Sequence, residues 1–378
     1  VILKTYGWSF AILIVGLVLA VIYDGPTALG LVAILCVLEI SLSFDNAVVN
    51  ATILRRMNDF WQKIFLSVGV IIAVFGMRLV FPLLLVSITA KLGPVEAVRL
   101  ALEKGPVEEP GSYGYLLNEA HPTIAAFGGM FLLMLFLGFI FSESEHHWLG
   151  PVERFLEKLG RVEALSVIVA GVVLFVVSET YASDHAQTVL ASGLLGMVTY
   201  LLVDGLGNLF NVDEVEGDDE EGAAQDAAAV PDQPRGSRAP SDIARVGGKA
   251  AFFLFLYLEV LDASFSFDGV IGAFAITNDP IIIAIGLGVG AMFIRSMTVH
   301  LVREGTLSQY IYLENGALWA IGALAAILLL SIEIEIPEVV TGLIGVAFIV
   351  AALISSILHN RAHPEDAHVE QKAHAEAH

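Results

Sequence analysis

Hydrophobic residues in this chain come in long runs, the longest of which also hold polar residues. Runs long enough to cross a bilayer cover 8–23, 28–54, 64–88, 123–142, 164–181, 186–204, 250–276, 280–302, 316–332 and 337–358. A span needs about 20 apolar residues, so the pattern predicts an all-α polytopic membrane protein of about ten transmembrane helices. The runs at 8–23 and 316–332 are short. The first follows Lys4 and has the look of a secretory leader. It lacks a small-x-small cleavage site, and a second run begins just after Asp24-Gly25-Pro26, so a membrane helix is the expectation.

Polar stretches between the runs set the organisation. With the amino terminus inside, Arg55, Arg56, Lys63, Arg154, Lys158, Arg161, Arg235, Arg238, Arg245 and Lys249 fall on the inner side, and only Lys91, Arg99 and Lys104 on the outer. Positive charge collects on the cytoplasmic side of membrane proteins, so both termini are expected in the cytoplasm. Residues 1–210 form a membrane region of about six helices. Residues 211–248, with Asp213, Glu214, Glu216, Asp218, Asp219, Glu220 and Glu221, read as a disordered acidic cytoplasmic linker. Residues 249–358 hold about four more helices, and 359–378 form a His-rich cytoplasmic tail.

Composition agrees with the pattern. The chain is 56% hydrophobic and 16% charged, against about 25% charged in soluble domains. A formal charge of −21 excludes nucleic acid as a partner. The single cysteine, Cys36, excludes an internal disulfide and a thiolate metal site.

Two apolar runs carry acids in related order. Residues 38–47 read Leu-Glu-Ile-Ser-Leu-Ser-Phe-Asp-Asn-Ala, and 261–270 read Leu-Asp-Ala-Ser-Phe-Ser-Phe-Asp-Gly-Val. Aligning Ser-x-Ser-Phe-Asp pairs Asp45 with Asp268 and Glu39 with Asp262, with Glu259 extra in the second copy. The following run of each copy has one arginine, Arg78 and Arg295. The copies lie five helices apart, so they cross the membrane in opposite directions. This is the inverted-topology repeat of secondary transporters, whose site lies at the repeat interface.

At 100° per residue, Glu39, Ser43, Asn46 and Asn50 share one face, as do Glu259, Asp262 and Ser266. Asp45 and Asp268 sit off those stripes, so either each aspartate faces a different neighbour or the helix unwinds near Ser-x-Ser-Phe-Asp to bring the carboxylates together, and unwinding is the expectation. The expected ion site is Glu39, Asp45, Asn46, Glu259, Asp262 and Asp268, with Arg78 and Arg295 balancing charge and Ser43, Asn50 and Ser266 in support. Oxygen ligands without His or Cys suit Mn²⁺, Ca²⁺ or Mg²⁺ rather than Zn²⁺ or Cu²⁺. A carboxylate at mid-membrane costs about 2.5–3.5 kcal/mol, so the surplus of acids over arginines calls for a cation. No other cofactor is expected. Outside the motifs, Gly286 and Gly290 stand in GxxxG spacing and predict close packing on a motif helix. His300 reads as a satisfied polar contact. Glu143, Glu145, His146 and His147 read as a solvated inner loop.

The Glu-Ile-Ser-Leu-Ser-Phe-Asp-Asn stretch at 39–46, the stretch from Asp262 to Asp268, Arg295-Ser-Met-Thr-Val-His300 and Tyr312-Leu-Glu314-Asn-Gly316 together resemble the TerC family of tellurium-resistance membrane proteins. They are closer still to a TerC-related family of uncharacterised bacterial proteins. The resemblance implies the LysE-type transporter superfamily, the bacterial cytoplasmic membrane, metal export (manganese above all) and a link to tellurite resistance. The chain departs from the pattern at Asp268-Gly269, where the first copy has Asp45-Asn46. A secondary transporter exporting a divalent cation, Mn²⁺ first and Ca²⁺ next, is therefore the leading expectation, and no enzyme activity is expected. The competing readings are a membrane platform that docks cytoplasmic resistance or stress-response proteins, and an intramembrane aspartyl hydrolase using Asp45 and Asp268. A homo-oligomer is compatible with each.

Overall fold

A computed structural model describes residues 2–142, 146–162, 164–226, 248–274, 276–303, 310–334 and 336–362, apart from the side chains of 2–5, 42, 45, 66, 207–226, 267, 268, 303 and 338. All regular structure among these residues is helical. Among the described residues, eight helices are long and apolar enough to cross a membrane: Tyr6–Ser41, Asp59–Thr89, His121–Ile140, Ser183–Leu206, Gly248–Phe274, Pro280–Val302, Leu313–Leu330 and Val339–Ala362. The protein is thus an all-α, multi-pass membrane protein.

Eight differs from the expected ten for two physical reasons. The helix Leu165–Tyr181 is apolar but short. The Tyr6–Ser41 helix has 36 residues, about 54 Å at 1.5 Å per residue, far beyond a hydrocarbon core of about 30 Å. Its backbone is broken at Asp24 and at Gly25, whose φ of 72° is open to glycine, just before Pro26. Contacts with the helix Pro280–Arg303 show what the break does. Ser9 Oγ donates to Met292 O at 3.0 Å, and Gly16 faces Val289 and Ile285, so this arm runs antiparallel to its neighbour. Gly286 abuts Leu35 and Gly290 abuts Glu39, so residues 26–42 run parallel to it. The two arms form a hairpin.

At the hairpin tip, Lys104 Nζ lies 2.6 Å from Asp279 Oδ2, and its ammonium sits 4.9 Å from the centroid of the Tyr23 ring. Hydrogen bonds to Asp279 and then to Tyr23 hold Lys104 above the usual lysine range. Asp279 Oδ1 also accepts from Ile281 N at 3.0 Å, capping the helix that follows. At the opposite end, Glu314 pairs with Arg55 and, at 3.3 Å, with Arg56. The helix Ala186–Asp226 reaches this end too and continues through the first part of the acidic segment, so 211–226, expected to be disordered, are helical; 227–247 and the tail 363–378 lie outside the described residues.

The helix His121–Ile140 is buried on nearly every side, through Met130, Phe131, Leu132, Met134 and Leu135. It forms the centre against which helices of both halves pack.

Candidate functional site

Helix direction decides what meets at the middle of the bundle. The second motif helix, Gly248–Phe274, runs antiparallel to Pro280–Arg303: Asp262 reaches Arg295, while Val270 and Phe274 share a cavity wall with Ile281 and Ile283. Residues 26–42 run parallel to that same helix, so the two motif helices are antiparallel to each other. The two arginine helices are antiparallel as well, with Gly69 beside Arg295 and Val74 beside Gly288. The repeat is inverted in space.

Each copy then builds the same ion pair. Arg78 Nη2 donates to Glu39 Oε1, and Ser43 Oγ donates to that oxygen at 3.3 Å. Arg295 Nη2 donates to Asp262 Oδ2 at 3.3 Å and to Glu259 Oε1 at 3.4 Å. Glu39 and Asp262 are the aligned positions, and all five charged side chains are at most 6% exposed. Arg78 also donates to Ala73 O within a π-helical stretch, Ile72–Val80, a local widening that recurs at functional sites.

The two copies share one small cavity, about the size of a single water molecule. Glu39, Ser43, Asn46, Arg78, Asp262, Ser266 and Arg295 all line it. Several polar atoms around it are buried without a hydrogen-bond partner among the described residues: Arg78 Nε, Arg295 Nη1, Glu259 Oε2 and Ser266 Oγ. Farther along the first motif helix, both amide atoms of Asn50 are in the same condition.

Of the expected site residues, Glu39, Asn46, Asp262, Ser43 and Ser266 are brought together with both arginines, and Glu259 joins through Arg295. The side chains of Asp45 and Asp268 lie outside the described residues. Among the described residues, no three His, Cys, Asp or Glu side chains stand close enough to hold a metal ion between them. Glu39 and Asp262 are each held by an arginine instead. The expected unwinding occurs in one copy only, as a single-residue break at Ser43 (φ −102°, ψ 19°) between Leu42 and Phe44. The second motif helix is continuous through Phe274.

Two residues around the site carry no signal in the sequence. Phe65 stacks under the Arg295 guanidinium at 3.8 Å, a cation–π contact. At Gly69 a Cβ would lie 2.7 Å from Glu259 Oε1. Both come from the first arginine helix yet serve the second copy's arginine, and only tertiary packing reveals that. GxxxG packing falls on the first motif helix: a Cβ at Gly290 would stand 2.5 Å from Glu39 Cβ, and one at Gly286 2.6 Å from Leu35 Cβ. Gly269, where the first copy has Asn46, leaves room for the Glu39 carboxylate, since a Cβ there would meet Oε2 at 3.3 Å.

His300 departs from expectation. Its Nδ1 is buried without a hydrogen-bond partner, and its ring lies 6.0 Å from that of Tyr6. In the inner loop, His147 Nε2 lies 2.7 Å from Glu157 Oε2 and His146 O accepts from Asn315; Glu143 and Glu145 lie outside the described residues.

A family model covers residues 44–363. The chain belongs to DUF475, a family described as protein of unknown function. The matched stretch of this DUF475 chain includes Asp45, the whole second motif and both arginines, and it starts just after Glu39. No curated protein and no solved structure matches the chain.

Proposed function

We propose that this protein is a secondary transporter that exports a divalent cation from the bacterial cytoplasm. The observation that carries the reading is the meeting of two inverted carboxylate–arginine clusters at one small polar cavity. Glu39 and Asp262 line it opposite Arg78 and Arg295, and a third buried carboxylate, Glu259, reaches it through Arg295, so three carboxylates are at hand to bind a cation. The arginines hold the carboxylates while the site is empty, and an arriving cation draws Glu39 and Asp262 away from them. Buried oxygens and amides, with no thiol or imidazole, suit Mn²⁺ first and Ca²⁺ next. The resemblance to TerC proteins agrees with manganese export and ties it to tellurite resistance. Protons compete with the cation for these carboxylates, so transport weakens as pH falls.

Purified protein in vesicles, supplied in turn with Mn²⁺, Ca²⁺, Mg²⁺ and tellurite, tests the reading. Mn²⁺ flux is expected, and Asp45→Asn and Asp268→Asn are each expected to abolish it while the protein still reaches the membrane. Wild-type flux in both variants would remove the motif aspartates from the site. Flux lost on deleting 211–248 but kept in both variants would favour a docking platform.

Sidedness has its own test. Arg235, Arg238, Arg245 and Lys249, in and beside the linker, favour a cytoplasmic linker. In a Cys36→Ala background, Gly222→Cys is expected to resist impermeant thiol reagents added to intact cells. Labelling from outside would turn the topology over.

A further inference from the structure

We propose that the cation path has two symmetry-related halves: an open vestibule past Gly269 and Ala273 at the Asp279 end, and a closed counterpart past Asn46 and Asn50 toward the linker end, opened in alternation. The proposal rests on the transporter reading and adds the route, and a role for Asn50.

The open half is visible as a second cavity with room for several water molecules, about 60 Å³. Glu39, Ser43 and Asn46 form its floor, shared with the small cavity between the two arginines. From there it passes Gly269, Ala273 and Ile276 and reaches Thr341 and Gly342. Ile276 follows the end of the second motif helix, and Thr341 lies at the start of the last one. Both helix ends lie on the Asp279 side of the bundle, opposite the linker.

The closed half follows from the repeat. In the alignment that pairs Asp45 with Asp268, Asn46 corresponds to Gly269, Asn50 to Ala273 and Ile53 to Ile276. Because the motif helices are antiparallel, these three residues lead from the same floor toward the linker end. Asn50 is completely buried, yet neither its amide nitrogen nor its amide oxygen has a hydrogen-bond partner. Native proteins rarely leave such groups unpaired, because desolvating them is costly. An amide aimed along a route that fills with water or a passing cation in the other state accounts for it. The two halves differ in polarity: glycine and alanine leave the open one wide, and asparagines supply oxygen ligands to the closed one.

The test needs no knowledge of the cargo. Single cysteines are placed at Ala273 and Asn50 in the Cys36→Ala protein, in sealed vesicles of either orientation. An impermeant thiosulfonate reagent is then added outside. Ala273→Cys is expected to react from the Asp279 end and Asn50→Cys from the linker end, more slowly. Adding Gly342→Trp, which fills the vestibule mouth, is expected to slow Ala273→Cys severalfold and to speed Asn50→Cys severalfold. Ile53→Cys gives the same readout if Asn50→Cys fails to accumulate. Rates that stay fixed, or fall together, overturn the alternation. Reciprocal rates without metal flux would keep the path and remove the cation reading; metal flux with fixed rates would do the reverse.

Discussion

Arg78→Ala is expected to destabilise the folded protein by about 3–5 kcal/mol, because it leaves the Glu39 carboxylate buried without its counter-charge. Arg78 and Glu39 are each about 5% exposed, and the one other donor to Glu39 among the described residues is the Ser43 hydroxyl. Adding Glu39→Gln removes the stranded charge, so the double variant should regain much of the loss while remaining inactive in transport. Unfolding of the detergent-solubilised protein, followed by heat or denaturant, reads both effects. Arg99→Ala provides the contrast: Arg99 contacts Glu96 at 2.7 Å on an exposed surface, and no measurable change is expected there. An Arg78→Ala protein as stable as the parent would mean that the buried pair does not hold the first copy together. Unequal loss and recovery would measure the coupling itself.

The second large effect is steric. Gly290→Leu would drive a side chain into Glu39, whose Cβ and Cγ lie 2.5 and 2.6 Å from the ideal Cβ position, and into Cys36 O at 3.1 Å. Overpacking of this kind costs about 1–3 kcal/mol where neighbours can yield. Backbone and a charged side chain in an ion pair yield little, so the cost is expected at or above the top of that range. The substituted protein should show a lower unfolding midpoint and lose transport. Gly171→Leu, with nothing within 4 Å of its ideal Cβ, should be tolerated. Equal tolerance at both positions would mean that the two helices are not in contact as described.

The same contact explains how much of the site was legible beforehand. Helical spacing placed Glu39, Ser43 and Asn46 on one face, and the repeated motif paired Glu39 with Asp262 and Arg78 with Arg295. These are local and periodic relations, and the structure joins all of these residues at one cavity. The spacing of Gly286 and Gly290 announced close packing, but it did not say on which motif helix. The first motif helix was out of reach of that pattern, because the choice depends on the hairpin at Asp24-Gly25 folding both of its arms against Pro280–Arg303.

The sequence by itself determined the membrane class, the hydrophobic segments, the inverted repeat and the list of polar residues held inside it. Those follow from run length, from charge placement and from the odd separation of the copies, five helices apart, each a property of the chain read along its length. Only the tertiary structure decided that each arginine closes on the carboxylates of its own copy, that Phe65 and Gly69 of the first copy support Arg295 of the second, and that Gly269 makes room for Glu39. It also decided that the motif helix breaks at Ser43 but runs unbroken in the second copy. The physical reason is that two related motifs meet different neighbours once the halves interlock. An ion pair, a close glycine contact or an unpaired amide is then set by the partner across the interface, which no local pattern encodes.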